Sequence, residues 1–184
     1  MAGSVDPANA QAAIGVLISN ADLAGISYLL APIGLILFLY GLNALAENLK
    51  GGNGEALARY GALLFLLALV GWIAGSALSL AIAGGNAGAA AGAVYVVALA
   101  INISASLLGA LSILAMGLAI STRNDFNKPF ALIVAAIGAV LVVLSIMSGR
   151  DLSMLQTTNQ IAGVGYMITV IWNVTLGLGL MKKG

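Results

Sequence analysis

Residues 129–148 read PFALIVAAIGAVLVVLSIMS, an uncharged stretch that lies between Lys128 and Arg150. An α-helix rises about 1.5 Å per residue, so about 20 apolar residues cross the roughly 30 Å hydrocarbon core of a bilayer. A buried helix in a soluble domain is typically shorter, with about 10 to 14 apolar residues. This stretch therefore predicts a transmembrane helix.

The rest of the chain contains further apolar stretches of similar length. Four more apolar runs are separated by short connectors rich in glycine, asparagine and charged residues, which are residue types that favour turns. The five predicted spans are residues 15–46, 56–83, 92–120, 129–148 and 161–181. The sequence thus predicts an all-α, polytopic membrane helical bundle of about five transmembrane helices, with residues 1–184 forming a single integral-membrane domain.

The composition agrees with a membrane helical bundle and excludes several kinds of catalytic and metal-binding chemistry. Of the 184 residues, 61% are hydrophobic and 7% are charged, whereas a soluble domain carries about 25% charged residues. The chain has no His and no Cys, so it lacks the usual ligands of haem, zinc and iron–sulfur clusters, and also a His base and a Cys nucleophile. We therefore predict no catalytic residue, no metal site, no cofactor and no nucleic-acid partner.

Basic residues mark one side of the predicted spans. Those on the first side are Lys50, Arg59, Arg123, Lys128, Lys182 and Lys183, and Arg150 is the one basic residue on the other side. Short cytoplasmic loops carry an excess of Lys and Arg. The sequence therefore predicts a multi-pass protein of the plasma membrane with its N-terminus outside and its C-terminus in the cytoplasm.

The chain also aligns weakly with itself at an offset of 76 to 77 residues. For example, residues 61–67 (GALLFLL) face residues 138–144 (GAVLVVL). This match predicts a tandem duplication of a two-helix unit, residues 9–72 and 86–149, followed by a C-terminal helix. Chance matches are common in sequence rich in Ala, Gly and Leu, so the alternative of no duplication stays open.

Small residues recur every three or four positions in the middle spans, which places them on one face of each helix. Small faces let transmembrane helices approach closely. The predicted helix-packing residues are Gly71, Gly75, Ser79, Asn102, Gly109, Ser112 and Gly138. Packing within the chain is one interpretation, and contact with another subunit is the alternative.

Pro32 lies inside the first predicted span. Proline cannot donate the helical hydrogen bond and its ring clashes with the preceding turn, so it predicts a kink there.

Between their polar ends the predicted spans contain no Asp, Glu, Lys, Arg or His. A charged residue at that depth would indicate a proton relay or ion-coupled transport, and its absence counts against both functions. The neutral side chains of interest are Asn102, Ser106, Thr169 and Asn173. They are expected to form interhelical hydrogen bonds or to line a polar path.

These observations favour a non-catalytic accessory or structural subunit of a larger membrane protein complex, which packs against partner helices and binds the lipid bilayer. The alternative from a different class is a pore or facilitator for a small neutral solute. An intramembrane enzyme and a pigment- or quinone-binding protein are two further alternatives.

Overall fold

The structure is a computed structural model that describes residues 6–124 and 126–181. Within those ranges it contains six α-helices and no strand. They are α1 (Ala10–Ser19), α2 (Ala21–Asn48), α3 (Glu55–Ala83), α4 (Ala91–Ser121), α5 (Lys128–Arg150) and α6 (Leu155–Met181). Helices α2 to α6 are each long and apolar enough to span a membrane. The all-α class and the five spanning helices predicted from the sequence are confirmed.

The first span differs from its predicted bounds of 15–46. The helix breaks at Asn20, whose backbone has φ −120° and ψ 36°. The Asn20 amide Nδ2 donates to the Val16 carbonyl at 3.0 Å, and the Asn20 N–H donates to the same oxygen at 3.1 Å. These bonds close the last turn of α1, so the spanning helix begins at Ala21. The last helix also begins earlier than predicted, at Leu155.

Helix α4 lies at the centre of the bundle. It makes its most extensive contacts with α3, and its next most extensive with α5. Of its most apolar stretch 56% is buried, the largest share of any spanning helix. The buried side chains Ile113, Met116 and Ile120 join α4 to the hydrophobic core. A central helix of this kind has to pack on two faces at once.

Turn and cap chemistry sets the helix starts at the end of the bundle that holds residues 49–54, 122–124 and 126–127. Gly54 precedes α3 with φ +89°, a conformation that L side chains rarely adopt, and Glu55 accepts a hydrogen bond from the Gly51 N–H at 2.7 Å. Asn127 caps α5 by accepting from the Phe130 N–H at 3.2 Å. Pro129 follows in the first turn of α5, where its missing N–H removes no helical bond.

Helices α2 and α6 pack more loosely at the periphery. In α2, the buried residues are Leu42, Leu45 and Ala46, all near its C-terminal end, and none of its most apolar stretch is buried. The Phe38 ring also contacts the Phe65 ring of α3, with 4.8 Å between the centroids. Pro32 lies within the less packed part of α2. Helix α6 follows α5 and joins the core through Trp172.

Candidate functional site

The predicted packing residues of α3 and α4 lie at the contact between these two helices. An added Cβ on Gly71 would lie 2.8 Å from the Ala105 Cβ, and one on Gly75 would lie 2.5 Å from the Asn102 Oδ1. The Trp72 ring occupies the space over Gly109, where an added Cβ would lie 2.6 Å from it. A methyl group at any of these positions would require the neighbouring side chain to shift, so glycine allows the two helices to pack as they do.

Two serines predicted to pack helices are buried. The Ser112 hydroxyl of α4 donates to the Gly61 carbonyl of α3 at 2.7 Å, a hydrogen bond between two spanning helices. Ser79 is buried one turn beyond Gly75 on α3. Gly61 was not among the predicted residues, although an added Cβ there would lie 2.9 Å from the Met116 side chain.

The contact between α4 and α5 uses the opposite face of α4. Gly138, which was predicted, lies against the Leu114 backbone, so an added Cβ would lie 2.5 Å from the Leu114 nitrogen. Gly117 was missed, and an added Cβ there would lie 2.6 Å from the Ala135 nitrogen. The small residues predicted from the sequence cover a single face of α4, whereas a central helix needs two.

A cavity of about 110 Å³ lies between α4, α5 and α6, and we call it the polar cavity. Two of the four predicted polar residues, Asn102 and Ser106, line it. The other polar lining residues are Ser145 and Ser148 of α5 and Thr158, Asn159 and Tyr166 of α6. The amide of Asn102 lies close to Gly75 on the α3 side, so the residue stands where the cavity meets the α3–α4 contact.

The other two predicted polar residues lie elsewhere. The Thr169 hydroxyl donates to the Gly165 carbonyl at 2.9 Å, and the Asn173 amide donates to the Thr169 carbonyl at 2.8 Å. Both bonds stay within α6, and neither residue lines the polar cavity. The structure therefore brings Asn102 and Ser106 together but does not join them to Thr169 and Asn173.

Asn173 instead lines a groove of about 530 Å³ between α2 and α6, which we call the α2–α6 groove. Its α2 side includes Tyr40, Gly41 and Ala44, and its α6 side includes Gly177. Most of its remaining lining is aliphatic. The groove is thus an apolar recess with small residues on both walls and one amide.

Small residues also continue along α2 beyond the groove. Ser27, Ala31, Gly34 and Gly41 are spaced by four, three and seven residues, which places them on one side of the helix, and all four are exposed. An added Cβ on Gly34 or Gly41 would meet no atom within 4 Å. We call these four residues the open face of α2. Its glycines have open space where the glycines at the α3–α4 and α4–α5 contacts have close neighbours.

Charged groups lie near the helix ends. The Arg59 guanidinium pairs with Glu55 at 3.2 Å, and Lys50 pairs with Glu47 at 3.4 Å, both at the end of the bundle that carries Gly51. At the opposite end, hydrogen bonds from the Ser153 hydroxyl and N–H lower the pKa of Asp151. The predicted orientation also uses Lys182 and Lys183, which lie outside the described residues.

In the part of the chain that the structure describes, no group of three or more carboxylates is placed to hold a metal ion. No protein-family model, curated protein or solved structure matches the chain. The geometry of the bundle is therefore what bears on its function.

Proposed function

We propose that this chain is a non-catalytic, integral-membrane subunit that holds a transmembrane helix of another protein against the open face of α2. One observation carries this proposal: an added Cβ on Gly34 or Gly41 of α2 would meet no described atom within 4 Å, whereas one on Gly138 of α5 would lie 2.5 Å from the backbone of the neighbouring helix. The partner is thus proposed to complete a packing arrangement that the chain already uses internally.

The energetics of glycine support the proposal. Glycine in a helix interior costs roughly 0.5–1 kcal/mol relative to alanine, and in α2 no atom of the described residues uses the space that Gly34 and Gly41 leave open. Lipid tails are as apolar as leucine, so transmembrane helices associate through close van der Waals packing rather than through the hydrophobic effect. At these glycines the backbone of a partner helix can come close and gain van der Waals contacts, whereas fluid lipid gains few such contacts there.

The α2–α6 groove extends the same surface. Its lining is apolar apart from Tyr40 and the Asn173 amide. The Asn173 Nδ2 already donates to Thr169, which leaves its carbonyl oxygen as an acceptor for a polar group of the incoming helix. Such a hydrogen bond adds about 0.6 kcal/mol on average between membrane helices.

Purification from the native membrane in a mild detergent tests the proposal. On a native gel the protein should migrate in a complex with at least one other polypeptide, and the double variant Gly34→Leu/Gly41→Leu should release it. The control is Ala136→Leu, which also introduces a leucine at an exposed helix position, here on α5, and should leave the complex intact. Migration of the unaltered protein alone or as a homo-oligomer would contradict the proposal.

The proposal includes an orientation in the plasma membrane, with the N-terminus outside and the C-terminus in the cytoplasm. The described charges support it, because Lys50, Arg59, Arg123 and Lys128 lie at one end of the bundle and Arg150 at the other, which fits the positive-inside bias. The chain has no cysteine, so single-cysteine variants report sidedness. A membrane-impermeant thiol reagent should label Ser153→Cys in intact cells and Asn53→Cys only after permeabilisation, and the reverse would contradict the orientation.

A facilitator for a small neutral solute is a second candidate, and the polar cavity favours it. Ser106 is the sixteenth of the 31 residues of α4, so the cavity reaches about half the length of that helix. Purified protein in liposomes should then raise the flux of water, ammonia or a small polyol above that of empty liposomes, and Asn102→Leu should lower it. Flux equal to that of empty liposomes would eliminate this candidate.

A further inference from the structure

The polar cavity carries hydroxyl groups that the protein does not use for its own hydrogen bonds. Ser145 and Thr158 are 9% and 6% exposed, yet neither hydroxyl bonds to any described residue. Every described side-chain oxygen that is sealed from solvent has a partner, so these two hydroxyls open onto the cavity. The hydroxyl of Ser106, which also lines the cavity, is likewise without a partner among the described residues.

Other hydroxyls on these helices bond to their own backbone, and one of them, that of Ser148, lines the cavity and donates to the Leu144 carbonyl at 2.9 Å. Ser104 of α4 donates to the Ala100 carbonyl at 3.0 Å, and Thr169 of α6 donates to the Gly165 carbonyl at 2.9 Å. In a dry cavity, a hydroxyl left without a partner would cost about 1–3 kcal/mol. The three unpartnered hydroxyls that line the polar cavity therefore favour a hydrogen-bonding occupant.

The charge and size of the cavity limit what that occupant is. No charged side chain lines it, and an unpaired ion in such a site would be costly, which selects an uncharged molecule. The volume of about 110 Å³ is well below the roughly 300–1,000 Å³ of pockets for drug-sized ligands. A pigment or a quinone is therefore too large, whereas a molecule as large as several waters fits.

Both apolar and polar side chains line the polar cavity, and this favours an organic ligand over water. Leu99, Ile103, Leu141 and Leu144 line the same cavity as the hydroxyls. A buried water needs two to four polar partners, so water alone would leave these leucine and isoleucine side chains without favourable contacts. A short carbon chain that bears hydroxyls matches both kinds of surface.

We propose that the polar cavity binds a small uncharged polyol of about three carbons, whose hydroxyls exchange hydrogen bonds with Ser106, Ser145 and Thr158. Each of these side chains donates and accepts, as does each hydroxyl of the ligand. The site is separate from the open face of α2 and does not depend on a partner helix. It also does not depend on transport, because binding alone occupies it.

Cysteine protection tests the site, with glycerol as the probe. The chain has no cysteine, so Ser145→Cys and Ser106→Cys each place a single thiol of similar size in the cavity. Their reaction with methyl methanethiosulfonate is followed by mass spectrometry on the full chain in lipid nanodiscs. At glycerol concentrations about ten times the Kd, the reaction should slow about tenfold at both positions, because about one tenth of the cavities remain empty.

Two controls separate binding from bulk effects of the solution. Ser104→Cys lies on α4 but outside the cavity, so glycerol should leave its reaction rate unchanged. Sorbitol at matched viscosity is too large for the cavity and should protect neither Ser145→Cys nor Ser106→Cys. Saturable protection by glycerol with both controls unaffected supports the site.

Three results would overturn the proposal. Thiols that react but gain no protection from glycerol would show that the cavity holds water alone. Thiols that do not react at either position would show that the cavity is closed. Equal slowing of Ser104→Cys would show that glycerol acts through the solution. None of these results bears on the partner helix, so the two proposals succeed or fail separately.

Discussion

Helices α4 and α2 have nearly the same mean hydropathy, 2.1 and 2.0, but different surroundings. Of the most apolar stretch of α4, 56% is buried within the chain, and of that of α2, none is. Both helices carry glycines, yet Gly109 and Gly117 of α4 lie against neighbouring residues while Gly34 and Gly41 of α2 face open space. Apolar character alone therefore does not tell a core helix from a peripheral one in a membrane protein. The contacts that the small residues make do distinguish the two kinds of helix.

The largest effect is expected where glycine separates two backbones. Gly138→Ala would place a Cβ 2.5 Å from the Leu114 nitrogen and 2.7 Å from its Cα, and backbone atoms cannot rotate away as a side chain can. We expect a loss of about 1–3 kcal/mol in the free energy of unfolding, as for other overpacked cores. Denaturant titration in detergent micelles measures it. Unchanged stability would mean that α4 and α5 are not closely packed.

Removal of the hydrogen bond between α3 and α4 should have the next largest effect. Ser112→Ala deletes the buried hydroxyl that donates to the Gly61 carbonyl, and such bonds in membranes contribute about 0.6 kcal/mol on average and up to about 1.7. Ser104→Ala is the control, because that hydroxyl is exposed and bonds within its own helix. Equal losses of unfolding free energy in the two variants would show that the bond between helices stabilises the protein no more than a bond within one helix.

The open face of α2 should respond with the opposite sign. Gly34→Ala adds a methyl group where nothing lies within 4 Å, so the isolated protein should gain about 0.5–1 kcal/mol of unfolding free energy from the better helix former. The same micelle titration used for Gly138→Ala gives the sign directly. A loss as large as that of Gly138→Ala would remove the distinction between the two helices.

The smallest effect is expected at the charged end of α3. Arg59→Gln removes the Glu55 pair at 3.2 Å, which is an i,i+4 pair with an exposed arginine. Pairs of this kind contribute about 0.3–0.5 kcal/mol and are screened by salt. Stability measured at low and high ionic strength should therefore differ more for the unaltered protein than for the variant. A loss above that of Ser112→Ala would show that the helix ends matter more than the packed interior.

The sequence was sufficient for the class and the number of spans, because length and apolar character are read directly from the residues. It placed the first span wrongly at its start, because the break depends on the Asn20 amide bonding to Val16, a local competition that hydropathy does not register. It found Gly138 but missed Gly117, since a stripe of small residues does not say how many neighbours a helix has.

The polar residues show the same limit. Asn102, Ser106, Thr169 and Asn173 resemble one another in the sequence, yet two of them line a cavity and two bond to their own helix. The difference lies in which helices are adjacent, and α5 and α6 supply most of the hydroxyls around Ser106. That arrangement depends on contacts between distant residues. The orientation and the duplication of residues 9–72 and 86–149 stay predictions.

Site-directed photocrosslinking in the native membrane tests most directly whether α2 holds another helix. Tyr40 lines the α2–α6 groove and is 76% exposed, so a photoreactive phenylalanine analogue there replaces one aromatic ring with another. Val143 of α5, which is 56% exposed, is the control position. We expect a discrete crosslinked polypeptide from position 40 and none from position 143. Lipid adducts alone from both positions would contradict it.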